Sequence, residues 1–159
     1  MKVTVLTAAH LSVAAALAVF TTGCATNASG AHMGVTSATA PVLAIMYDDL
    51  FVGESVGYLN RTGTIDVHSA IDPGKRCVGS FRYTAEHAGT AQLQCNDGAD
   101  AQISFNSLTA LSGYGYGRTS RGPVSFTYGL TTEEAAKYLT LPAGKKIVRQ
   151  PTGPALVDM

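Results

Sequence analysis

An excess of charge of one sign is missing from this sequence. Its 159 residues include 11 Lys and Arg against 11 Asp and Glu, and 14% of them are charged. Proteins that bind phosphate backbones need surplus basic charge, so we expect no nucleic-acid partner. Basic residues are more frequent after Ala101, which would suit an anionic partner, although an uneven solvated surface is the simpler interpretation.

Motifs for metal, nucleotide and hydrolytic chemistry are missing as well. The sequence has no Cys-x-x-Cys, no His pair at ligand spacing and no Gly-x-Ser-x-Gly. The glycines of segment 113–117 are not followed by the Lys-Ser/Thr of a nucleotide-binding loop. We therefore predict no catalytic residue, no cofactor and no metal ligand, although a Ser-His-Asp triad assembled from distant residues stays open.

One pair of polar residues stands out on a predicted strand. Asp66 and His68 are two positions apart, so their side chains project to the same side. Asp48, Asp49 or Glu54 could complete a metal or acid–base site with them. An exposed polar strand face accounts for the same pattern and is the preferred interpretation.

A long apolar run is also missing, and the best candidate lies near the N-terminus. Leu11 to Phe20 falls well short of the roughly 20 apolar residues that a membrane-spanning helix needs. It follows the positive Lys2 and precedes Thr21-Thr22-Gly23-Cys24. This segment resembles the signal peptide of a bacterial lipoprotein, in which small residues precede the lipidated cysteine. Position 21 departs from the pattern, where Leu is usual, and an ordinary secreted protein cut after Ala25 is the alternative.

The resemblance implies cleavage before Cys24, so that residues 1–23 are the signal peptide and acyl chains are attached to the cysteine. Ala25, rather than Asp, follows it, which by the same resemblance implies the outer membrane. Each buried methylene contributes about 0.8 kcal/mol, and more than one chain is needed for stable attachment. The expected partner is therefore the membrane, reached through lipid on Cys24, from its periplasmic or its surface face.

The rest of the chain divides by composition. Residues 24–40 are small and polar, which predicts a flexible tether. A single β-rich domain is expected at 41–150, and residues 151–159 are expected to form a loose tail.

Two of the three cysteines lie inside the expected domain. If Cys24 carries lipid, Cys77 and Cys95 remain, and an exported domain meets an oxidising compartment. We therefore predict a disulfide between these two. A cysteine pair used for metal or redox chemistry is the alternative, and no spacing motif favours it.

The pattern around these cysteines also predicts their register. Cys77, Gly79 and Phe81 share one face of a strand, and Ala91, Leu93 and Cys95 share one face of the next. A hairpin that turns around 86–88 pairs them in reverse order and brings the two sulfur atoms together.

Strand patterns of period two dominate between turns rich in Gly, Pro, Asn and Asp. A capping-box spacing between Thr131 and Glu134 predicts one short helix, and the parity of the apolar residues predicts a three-residue turn at 97–99. The sequence therefore predicts a mainly β domain of six or seven antiparallel strands with one short C-terminal helix, in a small barrel or sandwich. The predicted strands are 42–47, 50–59, 64–68, 76–83, 90–96, 101–106 and 124–130, with 146–149 as a further edge strand.

The most unusual stretch is 112–123, in which Gly and Tyr alternate. Tyr114 and Tyr116 share a face if the chain is extended, and Arg118 and Arg121 follow them. Aromatic faces beside guanidinium groups suit sugars or anionic headgroups. These four are the candidate binding residues, and tyrosines that pack on the edge of the sheet are the alternative.

The sequence thus favours a non-enzymatic envelope lipoprotein, either a structural module or one that binds an envelope protein, a glycan or a lipid. The alternative is a small periplasmic hydrolase or an inhibitor-type module on a similar barrel.

Overall fold

The structure, a computed structural model, describes residues 30–159. The expected signal peptide and Cys24 lie outside the described residues. The elements of the described part are β1 (His32–Met33), β2 (Ser37–Met46), β3 (Asp49–Tyr58), β4 (Thr62–Ser69), β5 (Arg76–Tyr83), β6 (Ala88–Cys95), β7 (Asp100–Thr109), β8 (Ser112–Thr119), β9 (Gly122–Tyr128), α1 (Thr132–Ala135), β10 (Lys145–Gln150) and β11 (Gly153–Asp158).

Strands β2 to β9 form a closed antiparallel barrel of eight strands. Each strand pairs with the next along the chain, and β2 also pairs with β9, from Val42 opposite Tyr128 to Met46 opposite Val124. Closure leaves no long unpaired edge. The prediction of a mainly antiparallel β fold is confirmed. Of the two architectures left open, a barrel or a sandwich, the structure is a barrel. The strands are more numerous than predicted, because 112–119 forms β8 and two further strands lie outside 41–150.

Side chains alternate between the inside and the outside of the barrel. On β6, Gly89, Ala91, Leu93 and Cys95 are buried, whereas the residues between them are exposed. This is the two-residue period of a strand with one face in a core. Apolar side chains from all eight strands except β8, which contributes glycines, meet inside.

The disulfide hairpin has the predicted register. Cys77 lies opposite Cys95, Gly79 opposite Leu93 and Phe81 opposite Ala91. The two cysteines are bonded, with their Cα atoms 3.9 Å apart.

The turn between β6 and β7 has the predicted odd number of residues, three, but it begins one residue earlier than predicted. The amide of Cys95 donates to the carbonyl of Ala99, so that the three residues 96–98 form the loop rather than 97–99. Gly98 has φ = 84°, a left-handed conformation that glycine adopts without a steric penalty. Leu93 then lies opposite Ala101 and keeps its side chain inside the barrel.

The C-terminal segment packs on the outer wall of the barrel. The predicted capping box is present at Thr131 and Glu134, but the helix spans four residues and is followed by turns. Residues 151–159, expected to be loose, include β11, which pairs with β10 from Lys145 opposite Asp158 onward. The tether expected at 24–40 likewise includes β1 and the first residues of β2. A second apolar cluster joins the C-terminal segment to β2 and β3. It contains Leu43, Ile45, Leu50, Ala135, Leu139 and Ile147.

The barrel has two ends, which differ in how they are filled. The open end carries loops 34–36, 59–61, 84–87, 110–111 and 129–131, and the closed end carries loops 47–48, 70–75, 96–99 and 120–121. Among the described residues, no helix is long and apolar enough to cross a membrane.

Candidate ligand-binding site

A cavity of about 350 Å³ lies at the open end of the barrel. Its size is within the range of pockets that hold small molecules. No Asp, Glu, His, Lys or Arg is among its lining residues, which come from β1 to β5, β9 and the adjoining loops. These residues are Met33, Gly34, Val35, Thr36, Ser37, Ala38, Ala40, Ser55, Gly57, Tyr58, Leu59, Thr62, Phe81, Tyr83, Ala110, Leu111 and Tyr128.

Three aromatic rings, those of Phe81, Tyr83 and Tyr128, line this cavity. With Phe105 and Phe126 they form what we call the aromatic floor, a cluster of five rings around a smaller void of about 20 Å³ that shares four lining residues with the cavity. Phe105 lies at their centre, with ring centroids 5.9 Å from Phe81, 5.1 Å from Tyr83, 6.5 Å from Phe126 and 6.1 Å from Tyr128. All four contacts are edge-to-face, the geometry that the ring quadrupoles favour. The aromatic floor is therefore well packed, and its rings have fixed orientations. A ligand in the cavity would contact the edges and faces of these rings.

Glycines on neighbouring strands make room for these rings. Gly63 lies opposite Phe81 in the sheet, and a Cβ added to it would come 2.3 Å from the ring. Gly89 stands in the same relation to Phe105, at 2.2 Å. An added Cβ would also lie 2.2 Å from the carbonyl oxygen of Val56 at Gly63 and 2.4 Å from that of Arg82 at Gly89. These glycines therefore follow from the rings and from the close approach of the neighbouring strands.

Gly57, which also lines the cavity, differs from them. A Cβ there would lie 3.5 Å from the Phe81 ring, an ordinary van der Waals contact. Folding therefore does not require glycine at 57, and the space beside it belongs to the cavity.

The polar groups of the cavity are hydroxyls. Ser55 donates to the carbonyl of Ala40 at 3.3 Å, and the hydroxyls of Tyr83 and Tyr128 lie 3.2 Å apart. Burial, with a smaller contribution from Tyr83, raises the pKa of Tyr128 far above its usual value. Tyr128 is therefore neutral at physiological pH, and the cavity presents hydroxyls rather than ions.

The guanidinium group of Arg61 lies beside the opening of the cavity and connects two of the loops around it. The guanidinium of Arg61 lies 5.1 Å above the ring of Tyr83 and donates to the carbonyls of Ala85 and Glu86. Cation–π contact of this kind restrains the ring. Arg61 thereby ties the loop between β3 and β4 to the loop between β5 and β6.

The opposite end of the barrel is filled and covered. The disulfide lies there among the buried residues of the core. Arg121 donates to the carboxylate of Asp97 at 2.5 Å and lies 5.4 Å above the ring of Tyr47. A backbone hydrogen bond from Ala99, more than the charge of Arg121, lowers the pKa of Asp97. The predicted binding residue Arg121 therefore lies far along the barrel from the cavity.

The other predicted binding residues lie on the outer face of β8. Tyr114 and Tyr116 share that face, and Arg118 follows on the same strand in an exposed position. The ring of Tyr114 stacks on Tyr138 with centroids 4.5 Å apart, and the hydroxyl of Tyr116 donates to the carbonyl of Tyr138 at 2.8 Å. These contacts give both tyrosines a packing role against the C-terminal segment, and a role in binding stays a prediction.

The polar pair on β4 lies on the outer surface of the barrel, where Asp66 is bonded to Arg76. Asp66 accepts hydrogen bonds from Arg76, one of them from Nε at 2.7 Å, and these bonds lower the pKa of the carboxyl group. His68 lies on the same outer face. Within residues 30–159, no group of three or more His, Cys, Asp or Glu could hold a metal ion.

Sequence reasoning assigned the inward aromatic residues to an ordinary core and missed the cavity. The signal was present in the small residues beside them. Ser55 and Gly57 occupy inward positions of β3 at the end where Tyr83 and Tyr128 point inward. Small residues facing rings across a barrel leave unfilled volume, but only the closed arrangement of strands shows that they face one another.

Comparisons with known proteins concern the barrel alone. No family model and no curated protein matches the chain. The chain is similar to a redesigned β-barrel, mFAP1, solved bound to DFHBI, at 15% identity and a TM-score of 0.49, over 58% of this chain and 92% of that one. A second redesigned barrel, b11L5F_LGL, has 14% identity and a TM-score of 0.48, over 58% and 89%. A fluorescence-activating β-barrel designed de novo has 15% identity and a TM-score of 0.47, over 58% and 91%.

Proposed function

We propose that this chain is a membrane-anchored envelope lipoprotein whose barrel binds a small, neutral and largely apolar ligand. The observation that carries the binding role is the cavity of about 350 Å³ at the open end, lined without a charged side chain above an aromatic floor. The anchor rests on the resemblance of the N-terminal segment to a lipoprotein signal that ends at Cys24. The outer membrane remains the proposed location.

The chemistry of the cavity favours binding over hydrolysis. A hydrolase needs a nucleophile hydrogen-bonded to a base. The serine that faces the cavity, Ser55, donates its hydroxyl proton to a backbone carbonyl, and none of the lining residues is a His, Asp or Glu. Aromatic rings with a few hydroxyls instead suit a ligand that is mostly apolar and carries one or two neutral polar groups.

Binding is tested by filling the cavity from one side. Gly57→Leu places an apolar side chain in the open space beside Phe81, where the backbone leaves room for it. Gln92→Leu is the matched control, because it adds the same side chain on the outer face of β6. The probe is N-phenyl-1-naphthylamine, a neutral apolar dye whose fluorescence rises on leaving water.

The original protein and Gln92→Leu should bind the dye saturably, and Gly57→Leu should lose most of that binding. Circular dichroism and thermal unfolding establish that each variant is folded. Ala38→Leu, on the strand opposite Gly57, fills the same space and replaces Gly57→Leu if the latter is unstable. Equal dye binding by folded cavity-filled variants would show that the cavity is not the binding site.

The anchor is tested separately by metabolic labelling with palmitate. Cys24→Ala should abolish incorporation, whereas the double variant Cys77→Ala/Cys95→Ala should retain it. Incorporation that persists without Cys24 would refute the lipid attachment.

A further inference from the structure

Large apolar side chains are exposed around the open end of the barrel. Val35 is 96% exposed, Leu59 80%, Met33 72%, and Tyr58 and Leu108 46% each. We call these five residues the apolar rim. Single exposed apolar residues are ordinary, but a cluster at one place on a surface is typical of a contact site.

The apolar rim surrounds the mouth of the cavity. Four of its members also line the cavity, and Leu108 lies two residues before the loop 110–111, which lines it as well. The rim residues come from three separate parts of the chain, namely β1 with the loop that follows it, the end of β3 with the loop that follows it, and the end of β7. In the closed-end loops of the described part, the exposed large apolar residue is Ile71, and Val78, 47% exposed, lies on the outer wall near the start of β5.

Charge at this end is low and balanced. The five loops of the open end, 34–36, 59–61, 84–87, 110–111 and 129–131, contain one Arg and one Glu, namely Arg61 and Glu86, together with His87. Arg61 is turned toward backbone carbonyls and the ring of Tyr83. Few charges would therefore have to leave water if the rim entered an apolar phase.

The chain leads to the proposed anchor from the outer wall of the barrel. The described residues begin at Gly30, and β1 runs antiparallel to β2, with His32 opposite Thr39 and Met33 opposite Ala38. Met33 therefore lies nearer the open end than His32, and the chain before β1 starts part-way along the wall. Cys24 precedes Gly30 by six residues, which reach at most about 20 Å when fully extended. That length allows a lipid on Cys24 to lie beside the open end, and the apolar rim is what distinguishes this end from the closed end.

We propose that the apolar rim inserts into the interface of the lipid bilayer, so that the cavity opens toward the membrane. This inference rests on the proposed lipid anchor and specifies how the barrel is oriented on it. Apolar side chains on such a surface reach the boundary between headgroups and acyl chains. A ligand that dissolves in the bilayer could then enter the cavity without crossing water.

The absence of tryptophan from the sequence allows a clean test. Leu59→Trp places one fluorescent reporter in the rim, and Ile71→Trp places one at the closed end, where the original residue is equally exposed, at 80%. The full-length lipidated variants are reconstituted in phosphatidylcholine vesicles whose acyl chains are brominated. Bromine quenches tryptophan only on close approach.

The Leu59→Trp fluorescence should shift to the blue and lose most of its intensity in brominated vesicles, relative to unbrominated ones. The Ile71→Trp fluorescence should change little. Val35→Trp provides a second rim reporter and should behave like Leu59→Trp. The dye-binding assay, run on the same preparations, reports independently on the cavity.

Three results would overturn the orientation. If the protein floats with the vesicles but quenching is equal or absent at the two positions, the proposed anchor stands and rim insertion is refuted. A blue shift of Leu59→Trp that appears without vesicles and grows with protein concentration would assign the rim to a second copy of the chain. Protein that does not float would refute both anchor and insertion, while dye binding would still decide the cavity.

Discussion

The disulfide gives the fold a stability whose size can be worked out in advance. Cys77 and Cys95 are 18 residues apart and lie directly opposite each other on β5 and β6. A cross-link of this span removes loop-closure entropy from the unfolded chain, which corresponds to about 3 kcal/mol at 25 °C on the chain-entropy model. For a domain of this size, such a loss lowers the melting temperature by roughly 10 °C. The remaining cross-strand pairs of the hairpin keep the same register, so the reduced protein should still fold.

Urea unfolding followed by circular dichroism measures this effect, with and without a reductant, after thiol titration has shown that the bond is broken. The variant Cys77→Ala/Cys95→Ala should resemble the reduced protein, with a further small loss from the missing sulfur atoms, and reductant should not change it. The slope of the transition should be smaller for the oxidised protein, because its unfolded state exposes less surface. An unchanged midpoint after complete reduction would refute the loop-entropy reasoning. A reduced protein that cannot fold would show that the bond, rather than the apolar alternation, sets the register.

Three further predictions concern the outer segment and the cavity floor. Tyr138→Ala removes the ring stacked on Tyr114 and should lower the free energy of unfolding in urea by about 2 kcal/mol. Dye binding should stay the same, and unchanged stability would contradict the packing role. Thr131→Ala removes the helix cap and should lower stability by about 1 kcal/mol in the same assay, with Thr152→Ala in the loop after β10 as a control expected to have little effect. Because burial raises the pKa of Tyr128, the unfolded chain binds fewer protons at this site above about pH 10, so stability should fall as the pH rises past that value. Tyr128→Phe should lose this part of the alkaline destabilisation, and an identical pH dependence in both proteins would argue against it.

The hairpin register could be predicted because its determinants lie within a short segment. Alternation places Cys77 and Leu93 on inward faces, and only one antiparallel pairing puts all the apolar residues on the same side. The same local logic gave the capping box at Thr131 and the parity of the turn before Ala101. Each of these depends on residues that are close in sequence.

The closure of the barrel could not be predicted in this way. The pairing of β2 with β9 joins residues more than 70 positions apart and depends on the number and stagger of all eight strands. The segment 112–119 gave no apolar alternation, because its inward positions are Gly113, Gly115 and Gly117 and its tyrosines face outward. Strand β11 escaped prediction because its pairing with β10 and its packing on β3 are tertiary effects that override a weak local pattern.

The contrast between Gly57 and Gly63, which lie opposite each other at the open end, argues that the cavity serves a function. Filling a void with a buried methyl group stabilises a protein by about 1 kcal/mol, and glycine within a strand is itself unfavourable. At Gly63 the backbone and the Phe81 ring together leave no alternative, since a Cβ would lie 2.2 Å from the carbonyl oxygen of Val56 and 2.3 Å from the ring. At Gly57 the nearest contact of an added Cβ would be 3.5 Å away, so the backbone accepts a side chain at this position. Folding therefore accounts for Gly63 but not for Gly57. A requirement for ligand space accounts for the glycine at position 57 and for the void beside it.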